Sequence, residues 1–155
     1  MNIKIRNANI DDLKTILDFN KALFEYETAF NTQFDAKWSH SKAGITYFTN
    51  VINGINGYSL VAEIDETVVG YVAVSIYNLT FRTTNPIGEL DNVYIDKSYR
   101  RKGVGQELIK GAIQKAKEKG VMRLRVEAAI QNEKAITFYR KCGFKDFDIV
   151  LEMNT

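Results

Sequence analysis

The sequence predicts an α/β (α+β) fold in which a central mixed sheet carries helices on both faces. Two helical stretches, residues 9–26 and 38–52, come before any long strand. A hairpin of apolar strands follows them, and a strand–helix–strand–helix–strand order ends the chain. Hairpins produce antiparallel pairs whereas crossover helices produce parallel ones, so one sheet must contain both kinds of pair.

The first third of the chain is predicted to hold one short strand and two helices. Residues 3–6 alternate between apolar and basic side chains, which is typical of a strand. Asn9 is a candidate N-cap followed by two aspartates that suit the helix dipole, and apolar residues then recur at helical spacing to about Tyr26. The second helix is predicted over residues 38–52, and the asparagines and glycines at 53–57 end it.

Strands dominate the middle of the chain. Tyr58–Ile64 and Thr67–Tyr77 are apolar runs joined by Asp65-Glu66, which predicts a hairpin. Residues 78–88 contain the single proline and are predicted to form a loop, after which Glu89–Ile95 resumes as a strand.

The last third alternates between helices and strands. Val104–Lys119 has apolar residues on one face and is predicted to be a helix that Gly120 ends. Met122–Ala128 is predicted to be a strand, Asn132–Lys141 a helix, and Phe147–Glu152 a final strand.

Composition limits the kind of protein this is. The 155 residues are expected to form one domain (1–155), with 45% hydrophobic and 26% charged residues, as in soluble globular proteins. Because 21 basic side chains face 19 acidic ones, neither nucleic acid nor a membrane surface is an expected partner. The lone Cys142 precludes an internal disulfide and, with a single histidine, argues against a zinc site, so no metal is expected. The absence of an apolar run of about 20 residues or of a signal-peptide core fits a cytoplasmic protein.

The most informative segment is Arg100-Arg101-Lys102-Gly103-Val104-Gly105, between an apolar strand and a long helix. Its glycines let the backbone approach a ligand, the helix start supplies unpaired N–H groups, and three cations precede them, so it predicts a cradle for a phosphate or pyrophosphate. A Walker A loop is excluded because Gly105 is followed by Gln106-Glu107 rather than Lys-Ser/Thr. A dinucleotide fingerprint is excluded because Leu108 stands where its third glycine should be.

Together with a second segment, Asn132 to Phe144, the cradle resembles the coenzyme A and catalytic signature of the GNAT acyltransferase superfamily. Arg100, Gly103 and Gly105 satisfy the Arg/Gln-x-x-Gly-x-Gly/Ala pattern that follows a strand in that family. The resemblance covers nearly the whole chain and implies a three-layer fold with a mostly antiparallel sheet. It also implies an acetyl-CoA-dependent N-acetyltransferase whose acceptor is an amine of a small molecule or peptide. Only eleven residues follow Phe144, so the closing pair of strands is expected to be shortened.

The resemblance also assigns the coenzyme site. The loop amides at residues 101–106 are expected to bind the pyrophosphate of acetyl-CoA, and the preceding strand is expected to pair its backbone with the pantetheine arm. An N–H of that strand is expected to stabilise the oxygen on which negative charge develops. The predicted cofactor-binding residues are Val93, Tyr94, Ile95, Arg100, Arg101, Lys102, Gly103, Val104, Gly105, Gln106 and Asn132.

Three side chains are candidates for acid–base chemistry. Glu89 and Asp91 lie at i and i+2, on one face of a strand, and either could take a proton from an acceptor amine, whose pKa is about 10.4 if it resembles lysine. Tyr139 is expected to act as general acid toward the departing thiolate, and Asn132, seven residues earlier, is expected to project from the same side of the helix. The alternatives are two surface acids and a tyrosine that packs beside Phe138 and Phe144.

Several alternatives stay open. A covalent route through Cys142 is disfavoured, since no histidine lies near it in sequence and direct transfer needs no nucleophile. A non-catalytic acyl-CoA sensor would need the cradle alone, whereas this chain also carries Tyr139 and the strand carboxylates. A protein N-terminus or a lysine side chain is the alternative acceptor, and a homodimer is compatible with the resemblance. Aromatic and acidic residues mix over 24–38, where the family walls its acceptor pocket, although several of them fit core positions of a helix.

Overall fold

The structure is a computed structural model, and it describes residues 2–155. Five strands and four α-helices are found in that range. In chain order they are β1 (Lys4–Asn7), α1 (Leu13–Glu27), α2 (Lys42–Ile52), β2 (Gly57–Ile64), β3 (Thr67–Tyr77), β4 (Ile87–Ile95), α3 (Val104–Glu118), β5 (Arg123–Val126) and α4 (Glu133–Lys141). None of the helices described is long and apolar enough to cross a membrane.

The five strands form a single mixed sheet in the order β1-β2-β3-β4-β5. The first three pairings are antiparallel, whereas β5 pairs with β4 in parallel after the α3 crossover. The prediction of a mixed, mostly antiparallel sheet is therefore confirmed. The tight β2–β3 connection is also confirmed, with Asp65 and Glu66 at φ +48° and +62°, the left-handed region that a two-residue hairpin turn uses.

Helices cover both faces of the sheet, which confirms the three-layer prediction. On one face, α1 and α2 pack against alternate residues of the central strands through a core that contains Ile16, Leu17, Phe48, Val51, Val61, Tyr71, Ala73 and Tyr94. On the other face, α3 packs its apolar stripe, and α4 joins it through half-buried aromatic residues; this core contains Leu60, Val72, Val74, Leu90, Val104, Leu108, Ile109 and Ala112. Alternation along β2, β3 and β4 thus supplies apolar side chains to both layers.

The two N-terminal helices each begin with a separate turn of 3-10 helix, Ile10–Asp12 before α1 and Trp38–His40 before α2. Asn9 caps the first turn as predicted, and the Asp12 carboxylate accepts a hydrogen bond of 2.8 Å from the Asn9 N–H to complete a capping box. The second helix differs from the prediction because Ser41 interrupts it and caps α2 by accepting from the Gly44 N–H at 3.2 Å.

The predicted final strand over Phe147–Glu152 is wrong. Residues 145–155 have no regular secondary structure, and Leu151 is 90% exposed. Phe147 instead lies under two guanidinium groups, 5.5 Å from Arg82 and 5.7 Å from Arg123. An alternating apolar pattern records the propensity for a strand, but a strand also needs a backbone to pair with, and none of the described strands pairs with this segment.

Candidate active site

The sheet opens at one place, beside the second half of β4. β4 and β5 pair only from Ile87↔Arg123 to Leu90↔Val126, because β5 ends there, two residues earlier than its predicted end at Ala128. The remaining part of β4, residues 91–95, is paired with β3 on one side and has no strand on the other. A row of backbone N–H and C=O groups is therefore available to an extended ligand, as strand addition requires.

A β-bulge between β3 and β4 lies at the point where β4 and β5 separate. Val74 pairs with Leu90 and Ala73 with Asn92, so Asp91 is an extra residue in β4. The bulge allows both Asp91 and Asn92 to turn toward the α1–α2 face, where each makes side-chain hydrogen bonds. Bulges re-aim side chains and backbone groups, and this one does so at the mouth of the opening.

The predicted cradle follows β4 directly. Gly103 is the N-cap of α3 at φ +86°, and a Cβ on it would meet no atom within 4 Å, so the backbone conformation rather than space favours glycine there. Arg101 also has a positive φ, +60°. The first helical hydrogen bond runs from the Glu107 N–H to the Gly103 C=O, which leaves the N–H groups of Val104, Gly105 and Gln106 without an intrahelical partner.

The cradle's cations are not equivalent. The Arg100 Nε donates to the Ile95 carbonyl oxygen at 2.9 Å, and its guanidinium lies 5.3 Å from the centre of the Tyr94 ring, so part of this side chain fixes the end of β4. Arg101 and Lys102 are exposed. The side chain of Val104 is buried in the core, so only its backbone can face a ligand.

The C-terminal end of α4 packs beside the cradle. A Cβ on Gly105 would lie 3.1 Å from the Phe138 ring and 3.7 Å from Ile95, which places Phe138 against both the cradle and the end of β4. The neighbouring Tyr139 packs against Phe138 in a tilted arrangement and against Phe144 edge to face, with ring centres 5.3 and 5.9 Å away, so it does pack beside both aromatic residues. Its hydroxyl nevertheless has no hydrogen-bond partner among residues 2–155, and burial raises the pKa of this phenol.

Asn132 does not project from α4 as the sequence spacing predicted. It precedes the helix as its N-cap, and its side-chain oxygen accepts from the Ala135 N–H at 3.2 Å. The prediction that Asn132 and Tyr139 project from the same side of one helix is therefore wrong, because Asn132 has φ −85° and ψ +65° rather than helical angles. Asparagine has a strong preference for N-cap positions, which accounts for the position of Asn132. Its contact with the coenzyme stays a prediction.

The strand carboxylates Glu89 and Asp91 both face the α1–α2 side, and hydroxyl groups hold each of them. Tyr77 donates to Glu89 at 2.5 Å, while Asp91 accepts from Tyr47 at 2.5 Å and from Ser75. Although Asp91 keeps an exposed surface, the surrounding protein atoms raise its pKa and the charge on Glu89 raises it further, against the lowering effect of the two hydroxyl donors. Asp91 is thus a better proton acceptor than an ordinary aspartate.

A buried polar network lies directly behind the bulge, and sequence reasoning missed it. Asn20 of α1 is completely buried, and its side-chain nitrogen donates to the Asn92 side-chain oxygen and to the Tyr71 hydroxyl. The Asn20 side-chain oxygen is buried without a partner among residues 2–155. The only sequence signal was a polar residue at a core-facing position of α1, which does not by itself identify a partner 72 residues away.

No group of three or more metal-binding side chains occurs within the part of the chain that the structure describes. The opening of the sheet begins at Asp91, and the cradle follows the C-terminal end of β4, where Phe138 of α4 packs against Gly105. A free strand edge that leads into an anion cradle suits an extended, phosphate-bearing acyl carrier.

Comparisons with known proteins agree with this geometry. The family model described as acetyltransferase (GNAT) family matches residues 21–144. An uncharacterised N-acetyltransferase of Methanocaldococcus jannaschii is 27% identical over 94% of this chain, which spans 62% of that protein. A spermidine N(1)-acetyltransferase of Thermoplasma acidophilum is 26% identical over 94% of this chain and 89% of its own length. An N-alpha-acetyltransferase of Sulfurisphaera tokodaii is 25% identical over 95% and 83% respectively.

The fold agrees as well. An aminoglycoside N-acetyltransferase solved in complex with CoA superposes with a TM-score of 0.75 over 99% of this chain and 95% of that one, at 16% identity. The fold and the matched relatives define an acyltransferase of the acetyl-CoA-dependent type. The chain belongs to the acetyltransferase (GNAT) family.

Proposed function

We propose that this protein transfers the acetyl group of acetyl-CoA directly to a primary amine of a small molecule or peptide. The free edge of β4 beside an anion cradle carries the proposal, because it offers an extended carrier both backbone hydrogen bonds and a phosphate site. The spermidine and N-alpha-acetyltransferase relatives act on amines by their names, which supports an amine acceptor here.

The residues present fit the cosubstrate. The N–H groups of Val104, Gly105 and Gln106 would hold the pyrophosphate with Arg101 and Lys102 nearby, and Val93, Tyr94 and Ile95 would offer their backbone to the pantetheine arm. Acetyl-CoA supplies an acetyl group activated as a thioester. Arg100 serves this site by holding the end of β4 in place.

Two carboxylates are available to take the proton of the acceptor amine. Asp91 is the better candidate on physical grounds, because burial raises its pKa and its side chain keeps an exposed surface that an acceptor can reach. Glu89 lies on the same side of the sheet and adds negative charge that favours a cationic amine.

Tyr139 is the proposed general acid. A phenol with the ordinary tyrosine pKa of about 10 is protonated at neutral pH, and burial raises the pKa of Tyr139 further. No described residue accepts a hydrogen bond from its hydroxyl, so the hydroxyl can donate to a ligand. A non-catalytic sensor would need neither a free phenol nor carboxylates of this kind beside the cradle, so these groups favour the enzyme.

The test is acceptor-dependent release of CoA thiol from acetyl-CoA across polyamines, aminoglycosides, amino acids and short peptides. Tyr139→Phe keeps the packing against Phe138 and Phe144, so we expect kcat to fall about 10²-fold or more with acetyl-CoA affinity and Tm unchanged. Unchanged turnover would remove Tyr139 from the mechanism. Binding of acetyl-CoA without acceptor-dependent release from any amine would favour the sensor.

The remaining expectations belong to the same proposal. The single five-stranded sheet supports one acyltransferase domain over residues 1–155. The lone free Cys142 fits a cytoplasmic location. The homodimer stays a prediction, and the exposed apolar side chains of the C-terminal segment are the surface it would bury.

A further inference from the structure

Glu27 is a carboxylate that neither the family signature nor the acid–base mechanism uses. It occupies the last residue of α1, seven positions and hence two turns beyond the buried Asn20. Both residues therefore lie on the helix face turned toward the sheet. Glu27 is half-buried, unlike the exposed acids Asp18 and Glu25 of the same helix.

Glu27 lacks the pairing that the other acids of this region have. The Asp12 carboxylate contacts Arg6 at 2.7 Å, Asp18 contacts Lys14 at 2.9 Å, and Glu25 contacts Lys21 at 3.8 Å. Glu27 makes no ion pair or side-chain hydrogen bond with any of residues 2–155. Burial raises its pKa, and its position at the C-terminal end of a helix, where the dipole is negative, is unfavourable for an anion. A carboxylate kept there without a partner is costly unless a cation occupies the site.

The charge on Glu27 acts across the opening of the sheet. Burial is the main cause that raises the pKa of Tyr139 on α4 and that of Tyr71 on β3, and the charge on Glu27 raises both further. Helix α1 crosses the sheet from β1 to β4, because Asp12 at its start contacts Arg6 of β1 and Asn20 contacts Asn92 of β4. Glu27 lies two turns beyond Asn20, about 10 Å further along the same helix axis. It therefore lies beyond β4 on the side of its free edge, where the acetyl group would be transferred.

We propose that Glu27 binds a second ammonium group of the acceptor, so that the preferred acceptor is a diamine or polyamine. This inference rests on the proposed acetyl transfer. The reacting amine would lie near Asp91, and a distal ammonium would donate hydrogen bonds to Glu27. Glu89 accepts from Tyr77, and Asp91 accepts from Tyr47 and Ser75. Arg125 is the register partner of Glu89 on β5, but its described ion pair is with Glu127. None of the ion pairs described within residues 2–155 includes Glu27, Glu89 or Asp91.

Two consequences follow from the chemistry. Acceptors with their own carboxylate, such as amino acids, are disfavoured because like charges would be brought together at short range. An ammonium at Glu27 would also offset the charge that raises the pKa of Tyr139, so acceptor binding would make the phenol a stronger acid when it is needed.

The experiment titrates spermidine, 1,4-diaminobutane and n-butylamine into CoA-saturated protein by calorimetry at constant salt. It is performed on the wild type, on Glu27→Gln, and on Asp18→Asn, which removes an exposed acid from the same helix. We expect the wild type to bind both polyamines at least about 10-fold more tightly than n-butylamine. We expect Glu27→Gln to lose roughly 10- to 100-fold in polyamine affinity with n-butylamine unchanged, and Asp18→Asn to resemble the wild type.

The proposal is overturned if the wild type does not distinguish polyamines from n-butylamine, or if Glu27→Gln and Asp18→Asn weaken polyamine binding equally. The same variants are assayed for CoA thiol release with each amine. Glu27-dependent polyamine binding without any release would support the site and reject the proposed acetyl transfer. Release that is independent of Glu27 would support the transfer and reject the site.

Discussion

Replacing Gly103 by alanine isolates the conformational requirement of the cradle. Gly103 has φ +86° at the start of α3, and a Cβ there would meet nothing within 4 Å, so the substitution adds backbone strain without a clash. A left-handed conformation costs a non-glycine residue about 1–2 kcal/mol. If the loop keeps its shape, the free energy of unfolding falls by that amount and Tm falls by roughly 2–8 °C.

If the loop relaxes instead, the strain is absent from the free protein and lowers the affinity for acetyl-CoA. Acetyl-CoA would then have to restore the left-handed conformation that aims the N–H groups, and its affinity would fall by roughly 5- to 30-fold. The losses in stability and in binding free energy should therefore together approach about 1–2 kcal/mol. Chemical denaturation gives the first quantity, and calorimetric titration with CoA gives the second.

Gly120 provides the matched control. It has φ +71° at the other end of α3 and is equally free of contacts, but the 15-residue helix separates it from the cradle by about 22 Å. Gly120→Ala shares the strain and the reduced entropy of the unfolded chain, so it should lose stability without losing CoA affinity. Equal losses of CoA affinity in both variants, or no loss of any kind in Gly103→Ala, would refute the assignment of the cradle.

Two further predictions concern carboxylates. Burial and the charge on Glu89 raise the pKa of Asp91, so the loss of kcat/KM on acidification should begin at a higher pH than an ordinary aspartate would give. Asp91→Asn should remove this acidic limb of the pH profile and lower kcat/KM about 10²-fold. An unchanged profile in this variant would exclude Asp91 as the base. Burial alone would raise the pKa of Asp12, but hydrogen bonds from Arg6 at 2.7 and 2.9 Å and from the Asn9 N–H lower it overall. The Arg6–Asp12 pair thus stabilises the fold at pH values above the ordinary carboxyl pKa. Asp12→Asn should lower the free energy of unfolding in urea by about 2–3 kcal/mol at pH 7, and this difference should shrink below about pH 4. An equal free energy of unfolding in both proteins at pH 7 would show that the pair contributes nothing.

The sequence was sufficient for the sheet and its layers because each element carries its own periodicity. The hairpin of β2 and β3 and the amphipathic α3 depend on local patterns and turn residues, and they form where those patterns predict. The final strand failed because a strand depends on a pairing partner that its own residues do not specify. Asn132 was predicted to lie within α4, but it caps that helix, a position that depends on a local preference of asparagine.

The candidate site was only partly predictable, for a related reason. The cradle is continuous in sequence, so its glycines and cations identify it. Asn20, Asn92 and Tyr71 meet only through the tertiary fold, and Tyr47 reaches Asp91 across 44 positions. Such contacts have no local signature, and a single polar residue on an apolar helix face fits many partners.

The opening beside β4 joins these parts into one site. β5 ends at Val126, opposite Leu90, and the next residue of β4, Asp91, is the bulged residue. The pairing of β4 with β5 is therefore lost at the same point where the register between β4 and β3 changes. Both helical layers reach this edge, because Asn20 of α1 contacts Asn92 on one face and Phe138 of α4 packs against the cradle on the other. In the proposed reaction, an acceptor that enters from the α1–α2 face would meet the coenzyme beside residues 91–95. The proposed proton acceptor, proton donor and anion cradle would then come from three elements that are distant in sequence, because only the tertiary fold brings those elements to one edge of β4.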